Sequence, residues 1–297
     1  MTLFKGTATA LITPFRNEKI DYPAMGKLVE WQLKNSVDAL VVCGTTGEAS
    51  TLSGKERVQL THFVVDLVKG RVPVIAGTGS NATTEALDLT KYADDAGADM
   101  ALLITPYYNK PQQHGVIEHY TQIANAVDID LITYNVPSRT SLDMAPQTIV
   151  ELAKVDNIAA LKEASSDVDK VSKTMKLLRD EGLEDDIVIL SGSDELTLPL
   201  MSVGARGVVS ASANIDPRTM VQMVNCILDG DYDKALELHY KQYDLIKALF
   251  IETSPAPAKE ALKMMGMPAG PLRLPLVPML EENRAILRKA LEDAGIL

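Results

Sequence analysis

Short apolar runs rich in β-branched residues recur along the chain, at Gly6–Thr13, Ala39–Cys43, Val72–Ala76, Met100–Thr105, Leu131–Tyr134, Ile158–Lys162, Ile187–Ser191 and Gly207–Ser210. Most are apolar almost without interruption, the pattern of strands buried on both faces of a parallel sheet. Amphipathic segments separate them. Tyr22–Asn35 is one, and Lys55–Lys69 is another, with Val58, Leu60, His62, Phe63, Val65 and Leu67 available for a buried side. Thr83–Ala96 follows, with Thr83 as its predicted N-cap and Gly97 as its C-terminal cap. Eight strand–helix units at regular spacing predict an α/β chain, and eight is the number that closes a (β/α)8 TIM barrel. An open doubly wound sheet is the alternative, but its glycine-rich turn after the first strand is absent. Beyond about Asp231 the rhythm changes. Tyr232–Ile251, Pro257–Met265 and Met279–Glu292 are helical in pattern with no strands between, punctuated by Gly266-Met267-Pro268-Ala269-Gly270-Pro271. The predicted organisation is a barrel over residues 1–230 and a C-terminal helical region over residues 231–297.

Composition narrows the class. A chain of 297 residues, 46% hydrophobic and 23% charged, has enough apolar material for one large core. Its net charge of −11 repels phosphate backbones and anionic lipid, which argues against nucleic-acid or membrane partners. The two cysteines, Cys43 and Cys226, form neither a zinc spacing nor a disulfide framework. The opening Met1-Thr2-Leu3-Phe4-Lys5-Gly6 lacks the charged and long apolar segments of a signal peptide, and no apolar run is long enough to span a bilayer. A cytoplasmic location is expected.

In such barrels chemistry sits at the carboxyl ends of the strands. Lys162 closes the apolar run Ile158-Ala159-Ala160-Leu161. Burial there disfavours the charged amine, and a neutral amine can attack a ketone to form a Schiff base. The bland alternative is a lysine that snorkels to water or pairs with a carboxylate. Gly44-Thr45-Thr46-Gly47-Glu48 follows the second strand, where two glycines free a tight turn whose hydroxyls and N–H groups can hold a carboxylate; a helix-entry turn is the alternative. Tyr134 ends the fifth strand and can move protons, and Arg139, five residues on, can grip a carboxylate; a core tyrosine with a surface arginine is the alternative. Tyr107 and Tyr108 follow the fourth strand, where tyrosine suits an interface.

Other chemistries find little support. Gly77-Thr78-Gly79-Ser80-Asn81-Ala82 fits a dinucleotide-binding pattern, but the next strand ends Leu103-Ile104-Thr105 with no acid to hold a ribose. The loop Ser191-Gly192-Ser193-Asp194-Glu195 is acidic where phosphate-binding barrels hold their anion, so a small carboxylate ligand fits better. The loop after the eighth strand is Ser210-Ala211-Ser212-Ala213-Asn214. No GxSxG elbow or HExxH motif occurs, and neither a metal nor an organic cofactor is expected.

Taken together, the Gly44–Glu48 turn, Tyr134-Asn135-Val136-Pro137 and Lys162 resemble the family of pyruvate-dependent class I aldolases typified by dihydrodipicolinate synthase and N-acetylneuraminate lyase. The resemblance runs end to end, from Gly6-Thr7-Ala8-Thr9-Ala10-Leu11-Ile12-Thr13-Pro14-Phe15 to Pro271-Leu272-Arg273-Leu274-Pro275-Leu276. A threonine in the Gly44–Glu48 turn, where the sialic acid lyases tend to carry serine, and Arg139 place the pattern nearest the synthase branch, whose substrates are pyruvate and L-aspartate-4-semialdehyde. Lyases of sialic acid, 2-keto-3-deoxygluconate or 4-hydroxy-2-oxoglutarate, which share the Schiff base, are the alternatives, and a non-catalytic barrel binding a small acid is the remote one.

Carried over by position, the resemblance implies that Lys162 forms the Schiff base and Tyr134 donates and accepts protons. Thr45 would link Tyr134 to Tyr108 of a neighbouring subunit, and Thr46 would bind the pyruvate carboxylate. Arg139 would bind the semialdehyde carboxylate, with Gly192 and Val209 lining the pocket. Tyr107 would pack across a subunit interface in a homo-oligomer, expected to be a tetramer built as a dimer of dimers. Asn81, Glu85 and Tyr107 match an allosteric lysine pocket, but Gly54 and Arg57 stand where histidines are common in enterobacterial members. An arginine repels a lysine ammonium, so feedback by L-lysine is expected to be weak or absent.

Overall fold

The computed structural model describes residues 4–297. Met1, Thr2 and Leu3, which belong to the opening read for a leader, lie outside the described residues. Eight parallel strands close into a barrel: β1 (Gly6–Ala10), β2 (Ala39–Val42), β3 (Val74–Gly77), β4 (Met100–Ile104), β5 (Asp130–Asn135), β6 (Ile158–Glu163), β7 (Val188–Ser191) and β8 (Gly207–Ser210). Each pairs with its sequence neighbours, and β8 returns to β1 with Ala8 opposite Val209. Every residue of β2, β3, β6, β7 and β8 is buried, which is why those runs read as continuous apolar segments.

Alternation along each strand divides the barrel into two cores. Ala8, Val41, Ile75, Leu102, Ile132, Ala160, Leu190 and Val209 fill the interior, and Tyr134 belongs to the same cluster. The alternate residues face the surrounding helices, among them Tyr22–Lys34, Gly54–Val68, Thr83–Asp95, Val168–Glu181 and Pro217–Leu228. A third cluster, built on Leu245, Leu249, Leu262, Leu287 and Leu291, joins the C-terminal helices Tyr232–Leu249, Ala256–Met264 and Glu281–Asp293 to Ile12, Leu28 and Ile215 of the barrel.

Two local expectations are corrected. The first strand ends at Ala10 rather than Thr13, because the Ile12 N–H turns to the Asn214 side chain (3.2 Å) and Pro14 has no N–H to give. A short hairpin, Phe15–Arg16 against Lys19–Ile20, follows instead. Thr83 is the first residue of its helix, and the N-cap is Ala82, which supplies no side-chain bond. The Thr83 hydroxyl instead meets His119 Nδ1 at 2.9 Å. Helix Gly54–Val68 has the better start, a capping box in which Ser53 and Glu56 satisfy each other's backbone N–H groups.

Candidate active site

The ends of β5 and β6 build the centre of the site. Tyr134 lies opposite Lys162 in the ladder, both turn into the barrel mouth, and both are only 6% exposed. The Lys162 Nζ sits 4.2 Å from the centroid of the Tyr134 ring. Burial pulls the amine's pKa down to about 8, against the nearby Asp194 carboxylate, which favours the ammonium, and with help from the Arg139 charge. At pH 7 the neutral fraction is about 300 times that of an ordinary lysine. Burial also pushes the Tyr134 phenol up to about 12, with Arg139 and a hydrogen bond from Thr45 pulling the other way. The resting phenol therefore carries its proton at neutral pH, and it can accept another only by passing its own along.

The next residues on the same strands, Asn135 and Glu163, are likewise opposite each other but face outward. Asn135 Nδ2 donates to both Glu163 oxygens at 3.0 Å, and the Ser165 N–H donates to Glu163 at 2.6 Å. The Lys170 ammonium closes the network, 3.2 Å from Glu163 and ion-paired with Asp143. Each catalytic candidate is thus backed by a residue cross-linked to its counterpart's neighbour. The alternation of polar residues, Tyr134-Asn135 and Lys162-Glu163, was the available signal, because successive side chains on a strand face opposite sides.

The Gly44–Glu48 turn lies beside this pair. Thr46 and Glu48 are buried and Thr45 is partly so, its hydroxyl at the Tyr134 phenol. Thr13 Oγ1 holds the turn by donating to the Gly47 carbonyl at 2.7 Å. Thr45, Tyr134 and Arg139 line a cavity of about 240 Å³ that continues past Gly44 and Ser50 to Arg57 and Tyr107. Arg139 rides on a single helical turn, Pro137–Thr140, and is exposed at the cavity's edge. Gly192 closes the other side: a Cβ there would lie 3.1 Å from Lys162 Cε and 2.8 Å from Ala164 Cβ, so only glycine leaves the lysine room. Val209 is buried in the barrel interior.

Asp194 has a larger part than its acidity in the sequence suggested. Its Oδ2 accepts the N–H groups of Ala211 (3.1 Å) and Ser212 (2.9 Å), tying the loops after β7 and β8 together. Burial raises its own pKa, and its charge bears on Lys162.

The remaining candidates fall outside this centre. Tyr108 is 89% exposed, in a left-handed backbone conformation with φ of 73°, so it contributes nothing to the pocket of its own chain. Asn81 donates from Nδ2 to the Tyr107 carbonyl (3.2 Å), and Glu85 accepts from Ser80 Oγ (2.6 Å). Arg57 Nη2 donates to the Gly77 carbonyl (2.8 Å); burial lowers its pKa, against Cys43, Glu85 and Tyr107, which favour its charge. Gly54 opens its helix, exposed. The dinucleotide-like glycines have a packing explanation. A Cβ on Gly77 would stand 2.0 Å from the Cys43 carbonyl oxygen, and one on Gly79 would stand 2.5 Å from the Ile104 nitrogen.

Comparison with known proteins agrees with this geometry. Residues 3–294 match the Dihydrodipicolinate synthetase family. The 4-hydroxy-tetrahydrodipicolinate synthase of Thermoanaerobacter sp. (strain X514) is 47% identical over 298 residues, spanning 100% of this chain and 99% of its own. The crystal structure of dihydrodipicolinate synthase from Aquifex aeolicus superposes with a TM-score of 0.95 at 45% identity, covering 99% of each chain. A dihydrodipicolinate synthase variant characterised as monomeric superposes at 0.97 with 40% identity, covering 100% of this chain and 98% of its own.

Proposed function

The chain belongs to the Dihydrodipicolinate synthetase family, and from that membership we propose how its residues divide the work of the reaction. The activity is the Schiff-base condensation of pyruvate with L-aspartate-4-semialdehyde to 4-hydroxy-tetrahydrodipicolinate, a lyase reaction of lysine biosynthesis. The observation that carries the assignment of residues is the buried Lys162 amine, held at a pKa of about 8 over the Tyr134 ring.

Lys162 Nζ attacks the ketone carbon of pyruvate, and loss of water leaves a protonated imine. Thr46 and the N–H groups of its turn hold the pyruvate carboxylate. The cationic imine draws electrons from the methyl group, whose proton leaves through Tyr134. The resulting enamine carbon attacks the aldehyde carbon of the second substrate, and Tyr134 returns a proton to the new alkoxide. Arg139, exposed beside the mouth, takes the carboxylate of the semialdehyde. The substrate's own amine then displaces Lys162 from the imine carbon, closing the ring and freeing the enzyme. The lysine supplies the electron sink itself, so the scheme uses no metal or organic cofactor.

In this reading residues 1–230 are the catalytic barrel, and residues 231–297 are a helical region packed against it. The exposed Tyr108 serves the site of a neighbouring copy, linked through Thr45 to Tyr134, and Tyr107 packs at the same interface, in a homo-oligomer that we take to be a dimer of dimers. The location proposed is cytoplasmic; among the described residues no helix is long and apolar enough to cross a membrane. The test is a coupled assay with both substrates, following NADPH loss through dihydrodipicolinate reductase, together with borohydride trapping of pyruvate. Turnover and trapping that both vanish in Lys162→Ala support the assignment. Trapping that survives in that variant places the Schiff base on another lysine.

A further inference from the structure

Of the buried charges that the mechanism leaves unused, Glu48 is the one held by the C-terminal region. Glu48 ends the turn that carries Thr45 and Thr46, is 1% exposed, and holds a left-handed backbone with φ of 56° and ψ of 36°. Both of its oxygens are engaged by the C-terminal region. Lys259, on helix Ala256–Met264, ion-pairs with Oε1, and the Arg273 backbone N–H donates to Oε2 at 3.1 Å. The Lys259 ammonium is itself buried, donates to the Pro271 carbonyl at 2.8 Å and lies 4.4 Å from the centroid of the Phe15 ring. Arg273 stacks on the same ring, grips Glu56 with two hydrogen bonds of 3.0 and 2.6 Å, and donates to the Thr51 carbonyl at 3.0 Å. The chain just after the turn is therefore held by donors that lie more than two hundred residues further on.

Stability alone does not explain such a pair. Two buried ions lose their hydration, and well-packed apolar side chains of similar volume hold a fold as firmly. What the ion pair adds is geometry. A left-handed residue bearing a Cβ is strained, and a carboxylate fixed from two directions keeps it in place. We propose that Glu48 and Lys259 are positioning residues, through which the C-terminal helical region sets the turn that receives the pyruvate carboxylate. This rests on the reading of Thr45 and Thr46 given above.

The test uses the full chain with both charges removed, Glu48→Gln with Lys259→Met, so that neither ion is left unpaired. Circular dichroism and thermal unfolding check that it folds. The half-saturating pyruvate concentration for borohydride trapping is expected to rise about tenfold, while the KM for the semialdehyde changes less than about twofold. Glu48→Gln alone keeps the shape and is expected to move the pyruvate value about threefold in the same direction. A folded variant with an unchanged pyruvate value, or with both substrates equally affected, overturns the proposal. Unaltered protein that traps no pyruvate overturns the reading of the site instead.

Discussion

Tyr134 and Lys162 face each other across adjacent strands, and the lysine amine rests 4.2 Å from the centroid of the tyrosine ring. Two forces compete at that amine. The ring face and the Asp194 carboxylate favour the ammonium, whereas burial favours the free base. Burial wins, because the pKa lies at about 8 instead of the ordinary 10.5. The neutral form is the nucleophile, so reactivity must rise as pH rises. Initial rates of Schiff-base trapping at low pyruvate are expected to climb with a midpoint near pH 8 and then level off. Asp194→Asn, which keeps an acceptor for the Ala211 and Ser212 N–H groups, should move that midpoint downward. A midpoint near that of free lysine would mean that water reaches the amine.

Gly192 tests how tightly the lysine is held. An alanine there would press its methyl carbon to within 3.1 Å of Lys162 Cε and 2.8 Å of Ala164 Cβ. Ala164 Cβ and the Glu163 carbonyl oxygen, at 3.1 Å, have no freedom to swing aside, so the loop shifts and displaces the lysine stem with it. A displacement of this size costs on the order of tenfold to a hundredfold in kcat/KM for pyruvate. Steady-state kinetics with an unchanged melting temperature would locate the effect at the amine, and unchanged kinetics would show that the stem has slack.

Behind Tyr134 and Lys162, Lys170→Met would strip Glu163 of its cation while the carboxylate stays 1% exposed. Removing one partner of a buried pair costs about 3 to 5 kcal/mol. Urea unfolding should show a loss of that order, and adding Glu163→Gln should recover most of it, since Asn135 can still hydrogen-bond a neutral amide. A loss below about 1 kcal/mol would mean that water reaches the Glu163 carboxylate and screens its charge.

The barrel and its chemistry were legible for a common reason: both are local. Continuous apolar runs mark strands, and a lone lysine closing one such run stands out. Paired interactions are less visible. Asn135 and Glu163 could have been inferred from strand alternation once β5 and β6 were taken as neighbours. Glu48 and Lys259 could not, because nothing near either residue tells of a partner 211 positions away. The hairpin after β1 was hidden for a third reason. Leu11, Ile12 and Phe15 are buried by the core, so they continue the apolar run past the end of the strand.

Arg57 bears on regulation. Its guanidinium lines the cavity near Tyr107, and its Nη2 is anchored on the Gly77 carbonyl, so it is not free to swing away. Glu85, the neighbouring acid, already shares its field with that cation. In the lysine pocket that the resemblance implies, L-lysine would bring an ammonium to a place that holds a fixed positive charge. Activity is expected to be unaffected until lysine reaches millimolar levels. An inhibition constant in the low micromolar range would contradict this.

Tyr108 offers the sharpest test of assembly. Its ring is 89% exposed, and its backbone takes up the left-handed region that a bulky residue avoids without cause. If it completes the site of a second copy, a Tyr108→Phe chain and a Lys162→Ala chain each lack one half of every site in their own oligomers. Mixed subunits differ. In a two-fold pair made of one chain of each kind, one site carries both defects and the other carries none. Random mixing in equal amounts should therefore restore about a quarter of the unaltered activity, although each variant alone is strongly impaired. If Tyr108 acted within its own chain, every site in the mixture would keep one defect and no activity would return. Co-expression of the two variants under different affinity tags, with isolation of the doubly tagged species, decides between these outcomes. A chain that works as a monomer is told apart by yielding no doubly tagged species at all.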